Sequence, residues 1–589
     1  MLSIYCLTPL LWFEKGKMLA GCEDTYYLNF DCLSKKVCYT WDDKNSTTSM
    51  APSHILFLKT WEAFRKLGLT VQTSQRLILI TAWCMMPFSM FYLFQSLNLS
   101  KNGSAIGGLL ASTLYLFNIF SMNQCFWYYI YLFNSFLPLI VAFLIKGLKT
   151  KKLKKHIKYS IIIACSITGM STIATNVSYL ASLIIISTVI FVAYFKIAYL
   201  KQQISFFILC LVFTILMNFY WFVSLHGYLN NLHITSFGTS RELVLNSMRW
   251  NSIWSAKLYE AIRLLGSWAF RVEMYFPYNG LYYGKSYLIT CYSYIIPILV
   301  FSSLLIKKNK KEITLFSLIA LIGLFLVKGA NQPFGYIFLY FFDFFNWMYM
   351  FRSPYEKFTG IVVFAYSIMY GYIGIHVLFY IQNKFSDSRK KALSLLFIGT
   401  IILLTAITAF PTITKRISSP IFGMTLHIKM PHYWETMEGW FYKNDSNSRV
   451  MSLPRVGYTS LYKWGKTISW SATPYTAYMI PNPTIQLFDH AGGLSSSLFF
   501  KTINTLYLFL EKPKAFNNLL NILSVKYIIQ QNDICYNHPA YRNNCKGYPG
   551  SPPYINGALM KNTRITYLKS FEKLDVYNIN NDNAIIYAR

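Results

Sequence analysis

The sequence predicts a polytopic α-helical membrane protein of about 11 spans, carrying a C-terminal extracytoplasmic domain of α+β or β-rich type. Three observations predict it. Of 589 residues, 54% are hydrophobic and 13% charged, where globular chains carry roughly a quarter charged. Apolar runs near the ~20 residues needed to cross ~30 Å of hydrocarbon recur as far as residue 410 and then stop. Lysine and arginine crowd into alternate short loops between those runs.

The runs lie at 76–97, 104–122, 126–145, 158–175, 177–195, 204–225, 287–306, 313–330, 358–381 and 392–410. Met1 to Phe13 is apolar but too short to cross alone, and it lacks the basic lead and small-residue cleavage site of a signal peptide. It reads as the outer end of an eleventh span. Lys146, Lys149, Lys151, Lys152, Lys154, Lys155 and Lys158 follow the third run. Lys196 and Lys201, then Lys307, Lys308, Lys310 and Lys311, and finally Lys384, Arg389, Lys390 and Lys391 fill further loops of the same side. Basic loops mark the cytoplasmic face. The net charge of +32 is therefore largely topology and not a nucleic-acid footprint.

This arrangement divides the chain into a transmembrane domain, 1–410, and an extracytoplasmic domain, 411–589. The first has outer loops at 14–75 and 226–286 and a connection at 331–357. Within that connection the apolar stretch 334–350 carries Asp343; were it to cross, the basic residues at 384–391 would change sides, so it reads as a re-entrant or interfacial helix. An acid at membrane depth suggests function, and a headgroup-facing acid is the plainer reading. After Phe410 prolines punctuate the chain and apolar runs shorten to strand length. VKYII, LDVYNI and AIIYAR read as strands and NNLLNIL as a helix.

Chemistry is expected outside. Glu23 and Asp24 open the first outer loop, with Asp42 and Asp43 further on. A carboxylate held at the membrane surface can take a proton from an attacking hydroxyl, although loop acids are more often merely solvated. The second outer loop supplies Arg241, Arg249, Arg263 and Arg271 among tryptophans, and Arg352 and Lys357 lie near the start of a late span. Trp254, Leu258, Ala261, Leu265 and Trp268 recur at helical spacing, predicting an interfacial amphipathic helix over 253–269. Arginines there can grip a phosphate by paired hydrogen bonds or simply attract anionic headgroups. The tail aromatics Trp434, Trp440, Tyr458, Trp464 and Trp470 are candidates to stack on sugar rings, or core residues. Phosphate-loop, dinucleotide, zinc-protease and serine-elbow signatures are missing, and the histidines and cysteines show no metal-ligand spacing, so no metal site is read. Cys32–Cys38 and Cys535–Cys545 are the local disulfide pairings to test, with Cys22 left over.

These features resemble the C-type (GT-C) integral-membrane glycosyltransferases, and within them the prokaryotic α-(1→3)-arabinofuranosyltransferase-like proteins. The resemblance rests on Gly21, Glu23 and Asp24, on NSIWSAKLYEAIRLLGSWAF, on FRSPYEKF, and on RVMSLP, LLNILSVKYIIQQND and FEKLDVYNI. The last three phrases are also similar to YfhO-type membrane proteins. The resemblance implies transfer of a sugar from a polyprenyl-phosphate sugar to a glycan or protein acceptor outside the membrane, with inversion the expected stereochemistry. It maps the base onto Glu23 or Asp24 and places the donor phosphate near Arg241, Arg249, Arg263, Arg271, Arg352 or Lys357. It implies no cofactor and leaves a divalent metal open. A transporter or flippase of lipid-linked sugars, and a non-catalytic cell-envelope assembly protein, are the rival classes. Membrane lipids surround the chain in every case.

Overall fold

The computed structural model describes residues 6–19, 29, 32, 41–42, 47–48, 55–99, 103–123, 128–170, 177–236, 256–266, 280–344, 351, 353–414, 424–425, 427–454, 460–464, 467–471, 475–485, 506, 508–534 and 552–580. Its helices, in chain order, begin with α1 (Ile55–Lys66), α2 (Val71–Leu97), α3 (Ser104–Leu116), α4 (Tyr128–Lys149), α5 (Leu153–Met170), α6 (Val177–Tyr194) and α7 (Leu200–Ser236). They continue with α8 (Leu258–Ala261), α9 (Tyr287–Ser302), α10 (Lys310–Val327), α11 (Gly335–Phe344), α12 (Pro354–Lys384) and α13 (Asp387–Ile413). Each of the ten apolar runs falls on one of these helices. Among the described residues six stretches are long and apolar enough to cross a membrane: Val71–Leu97, Ile130–Lys149, Ile197–Phe222, Tyr287–Leu305, Pro354–Lys384 and Asp387–Ile413. Ser104–Leu116 and Tyr179–Tyr194 are apolar but shorter. The chain is a mostly helical, multi-pass membrane protein.

Two compact units emerge. The first comprises 1–12, 73–223 and 242–419; the second comprises 13–72, 224–241 and 420–589. In the first, α12 is the central helix, buried along most of its length and packed on α3 and α10. Small residues permit this. A Cβ on Gly371 of α12 would lie 2.4 Å from the Gly107 carbonyl oxygen of α3 and 3.0 Å from the Ala111 Cβ, inside any real contact distance, so the two backbones touch. By contrast α7 and α13 leave most of their apolar side chains uncovered, among them Leu211, Leu216, Leu395 and Leu403. Such rows suit helices facing lipid, where every backbone group is bonded within the helix.

The second unit contains a five-stranded sheet built from β1 (Arg449–Leu453), β4 (Thr484–Ile485), β5 (Val525–Gln531), β6 (Ile565–Phe571) and β7 (Leu574–Ile579); β2 (Ser460–Trp464) and β3 (Thr467–Ser471) form a neighbouring hairpin. Strand order is β6-β7-β5-β1-β4. β5, β1 and β4 run parallel, with Ile528 opposite Met451 and Met451 opposite Ile485, and β7 is antiparallel to β5, with Ile529 opposite Val576. Helices α14 (His432–Asn444), α15 (Pro513–Ile522) and α16 (Pro552–Met560) accompany the sheet. Its core gathers Met451, Leu453, Ile485, Leu520, Ile528 and Ile579. The predicted strands VKYII and LDVYNI and the helix NNLLNIL coincide with β5, β7 and α15; AIIYAR lies outside the described residues.

Candidate functional site

In the first unit, the start of α9, the end of α10 and the start of α12 meet the segment 256–266. That segment was expected to continue as a long amphipathic helix, and among the described residues it does not. Its helix is the single turn α8, whose Glu260 carboxylate accepts the Lys257 backbone N–H at 2.8 Å. Leu264 then adopts a left-handed φ of 61° and Gly266 a φ of 146°, where a Cβ would sit 2.2 Å from that of Ala256. The left-handed Leu264 ends the helical path, and tertiary partners bond the carbonyls on either side of the turn. Tyr355 Oη donates to Leu264 O at 2.7 Å, and Asn331 Nδ2 donates to Ala256 O at 3.1 Å.

This knot buries Arg263, which is 7% exposed. Its Nε donates to Ser293 Oγ at 2.7 Å, its Nη2 donates to Thr290 Oγ1 at 3.2 Å, and its guanidinium lies 5.0 Å from the Tyr294 ring centre. Among the described residues no carboxylate forms an ion pair with it. A second buried cation, Lys328, follows α10 and is 2% exposed. Its Nζ donates to Asn331 O at 3.1 Å, and the same Asn331 holds Ala256 through its side chain. Isolated buried charge is costly. Two such cations held by neutral acceptors make a region where an incoming anion would be favoured. Lys328 was not anticipated, because it sits inside the apolar run 313–330; its one signal was a lone lysine just before the Gly-Ala-Asn-Gln-Pro break.

The other expected site residues are dispersed or outside the described part. Glu23, Asp24, Asp43, Arg241, Arg249, Arg271 and Arg352 lie outside it. Asp42 belongs to the two-residue strand Trp41–Asp42, which pairs with Thr47–Thr48. Asp343 lies on α11, the helical part of the expected re-entrant stretch. Lys357, in the first turn of α12, is half-buried. Of the cysteines considered for disulfides, only Cys32 is described; its Sγ lies 2.9 Å from Ile480 O. No group of three or more metal-ligand side chains occurs among the described residues.

The second unit has its own polar centre, at the C-terminal ends of β5 and β1. Asp533 is 2% exposed, and its Oδ2 accepts bonds from Tyr433 Oη at 2.9 Å, Trp434 Nε1 at 3.1 Å and Trp464 Nε1 at 2.8 Å. Among the described residues its Oδ1 has no hydrogen-bond partner. Burial pushes the Asp533 carboxyl above the usual carboxylate range, against the pull of the three donors. Beside it Gln531 donates to Ser452 Oγ and to Thr476 Oγ1, the latter at 3.1 Å. Trp434 and Trp464, considered above for stacking on sugars, are thus buried and spent on this carboxylate. Trp440 packs edge-on against Tyr527 and Phe571. Tyr458 and the Trp470 side chain lie outside the description.

The chain, with α12 at the centre of its helical unit, shares its fold with solved structures of an arabinofuranosyltransferase. The chain is similar to the arabinofuranosyltransferase AftD from Mycobacteria, at 13% identity and a TM-score of 0.66, with 99% of this chain matched to 40% of that one. A mutant form of the same enzyme matches at 12% identity and 0.64, covering 99% and 42%. ArnT from Cupriavidus metallidurans bound to undecaprenyl phosphate matches at 8% identity and 0.44, covering 99% and 98%. The chain spans about two fifths of the length of AftD, and at these identities what is shared is the fold. No family model matches the chain, and no curated protein matches it in sequence.

Proposed function

We propose that the chain is a membrane glycosyltransferase that moves a sugar from a polyprenyl-phosphate sugar to a glycan or protein acceptor outside the membrane. The observation that carries this reading is Arg263: a buried guanidinium, fixed by Ser293 and Thr290, with no carboxylate in ion-pair contact among the described residues. Such a group is suited to a phosphate, and Lys328 supplies a second charge through the Asn331 link. The fold shared with an arabinofuranosyltransferase supports the class of reaction.

In this reading the acceptor hydroxyl attacks the anomeric carbon while Glu23 or Asp24 takes its proton. The glycosidic bond to phosphate breaks with its electron pair leaving on the phosphate oxygen, and the anomeric centre inverts. Arg263 and Lys328 meet the charge that develops there, an electrostatic role that acts only if the donors are fixed before reaction. Arg241, Arg249, Arg271, Arg352 and Lys357 are further phosphate candidates; Asp42, Asp43 and Asp343 are alternative acids. The proposal includes eleven crossings, with the lysine-rich loops cytoplasmic and residues 411–589 outside.

The test is transfer from synthetic polyprenyl-phosphate sugars by the purified chain. Arg263→Met should lower kcat/KM by about 10²–10³, the scale for removing one preorganised charge-stabilising donor. Glu23→Gln or Asp24→Asn should abolish turnover while leaving donor binding intact. Full transfer by both acid variants and their double mutant would sink the base assignment. Leaflet exchange of labelled donor without any glycosidic product would move the protein to the flippase class.

A further inference from the structure

The opposite end of the helical unit carries an arrangement that the transfer reaction does not use. Gln203, 1% exposed, ties three helices together: its Nε2 donates to Leu148 O at 3.1 Å and to Tyr194 O at 2.9 Å, and its Oε1 accepts the Lys196 backbone N–H at 3.2 Å. This fixes the ends of α4 and α6 against the start of α7. Two tyrosine rings stand at the junction, and each carries two ammonium groups. Lys149 Nζ and Lys311 Nζ lie 4.9 and 5.1 Å from the Tyr194 ring centre. Lys151 Nζ and Lys196 Nζ lie 4.1 and 5.7 Å from that of Tyr199.

Four cations are thus drawn to two rings, although like charges repel. Among the described residues none of the four makes an ion pair. Among the described residues Glu312 is the acid in electrostatic reach of Lys149, against both Lys311 and Lys196. Ring faces and helix C-termini favour cations modestly, which accounts for one lysine per ring better than for two. Directly beside them Ile197, Leu200 and Ile204, spaced by three and four residues, are exposed, Ile197 to 82%. Charge and an apolar strip therefore adjoin on one surface.

We infer that this junction is a binding site for an anionic phospholipid, with a headgroup bearing two phosphates seated on the two lysine pairs and an acyl chain along Ile197, Leu200 and Ile204. Basic residues at a membrane surface contribute about 1 kcal/mol each toward anionic lipid. Two separate lysine pairs offer a place for each of two phosphates, and the apolar strip suits a lipid rather than a free anion. This inference does not depend on the proposed transferase activity.

The experiment is native mass spectrometry of the full-length chain, titrated with tetraoleoyl cardiolipin, dioleoyl phosphatidylglycerol, dioleoyl phosphatidylcholine and free pyrophosphate. Cardiolipin should be retained most tightly. Lys149→Gln with Lys311→Gln should weaken it roughly thirtyfold, the arginine pair at the same positions should restore it, and Lys390→Gln with Lys391→Gln, on another lysine-rich loop, should leave it unchanged. Equal weakening by the 390/391 pair would reduce the effect to general surface charge and overturn the site. So would pyrophosphate displacing the lipid at similar concentration, or indifference to the 149/311 pair.

Discussion

The two units of this protein bury polar side chains in different ways. In the helical unit a buried hydroxyl characteristically bonds a backbone carbonyl: Ser112 to Pro87 O, Ser135 to Ala82 O, Tyr115 to Asn134 O, Tyr355 to Leu264 O. Each carbonyl has a second lone pair to offer, so no side-chain partner is needed. In the sheet-containing unit side chains bond one another: Asp533 with Tyr433, Trp434 and Trp464, Gln531 with Ser452 and Thr476, Asn517 with Asn562. Hydroxyls on carbonyls glue helices with little sensitivity to pH; the Asp533 network contains a titratable group and is sensitive to it.

The largest expected effect breaks that network. Asp533→Ala strands three buried donors, each costing about 1–3 kcal/mol, and should unfold the second unit in a thermal or denaturant melt while the helical unit still elutes as a folded species. Loss of fewer than about 1 kcal/mol would show that water replaces the carboxylate. Next, Gly371→Val drives a branched side chain into the α3 backbone at Gly107. Overpacking of this kind costs about 1–3 kcal/mol, read as a lower melting temperature of the whole chain in detergent. If stability is unchanged, α3 and α12 do not pack as closely as described.

Two subtler predictions concern pH. The Asp533 carboxyl is held above its unfolded value of roughly 3.9, so in the window between that value and the raised one the folded state holds more protons, and stability falls as pH rises. Asp533→Asn should flatten that slope in urea melts taken across the window. Asp445 behaves oppositely. Burial pushes it up, but Lys526 Nζ at 2.6 Å and the Ser448 bonds outweigh this and hold it at about 2. Its contribution is present above about pH 3.9 and is lost as pH falls toward about 2. Because Lys526 is half-exposed, Lys526→Met should cost under about 1 kcal/mol at neutral pH, with a correspondingly smaller loss in acid.

Much of the fold was legible because it is local. Ten apolar runs mark ten helices, six of which, among the described residues, are long and apolar enough to cross a membrane, because length and hydropathy are supplied by neighbouring residues alone. LDVYNI marks β7 for a similar reason: alternation and flanking turns are short-range signals. The polar centres were not legible in this way. Trp434 and Trp464 looked available for a ligand, yet they donate to Asp533, 99 and 69 residues away. The amphipathic pattern of 253–269 promised a longer helix, but among the described residues it makes one turn before a left-handed Leu264, flanked by bonds from Tyr355 and Asn331.

What the sequence by itself determined is thus the membrane character, the helix positions and the basic polarity of the loops, all consequences of composition over windows of about 20 residues. Only the tertiary structure decided which charges are buried and what holds them. Arg263 was visible as one arginine among several, but its burial on Ser293 and Thr290 depends on α9, and the pairing of Lys149 with Lys311 on one tyrosine depends on α4, α6 and α10 meeting. Desolvation and hydrogen bonding act on whatever the fold brings near, and no local window contains that information.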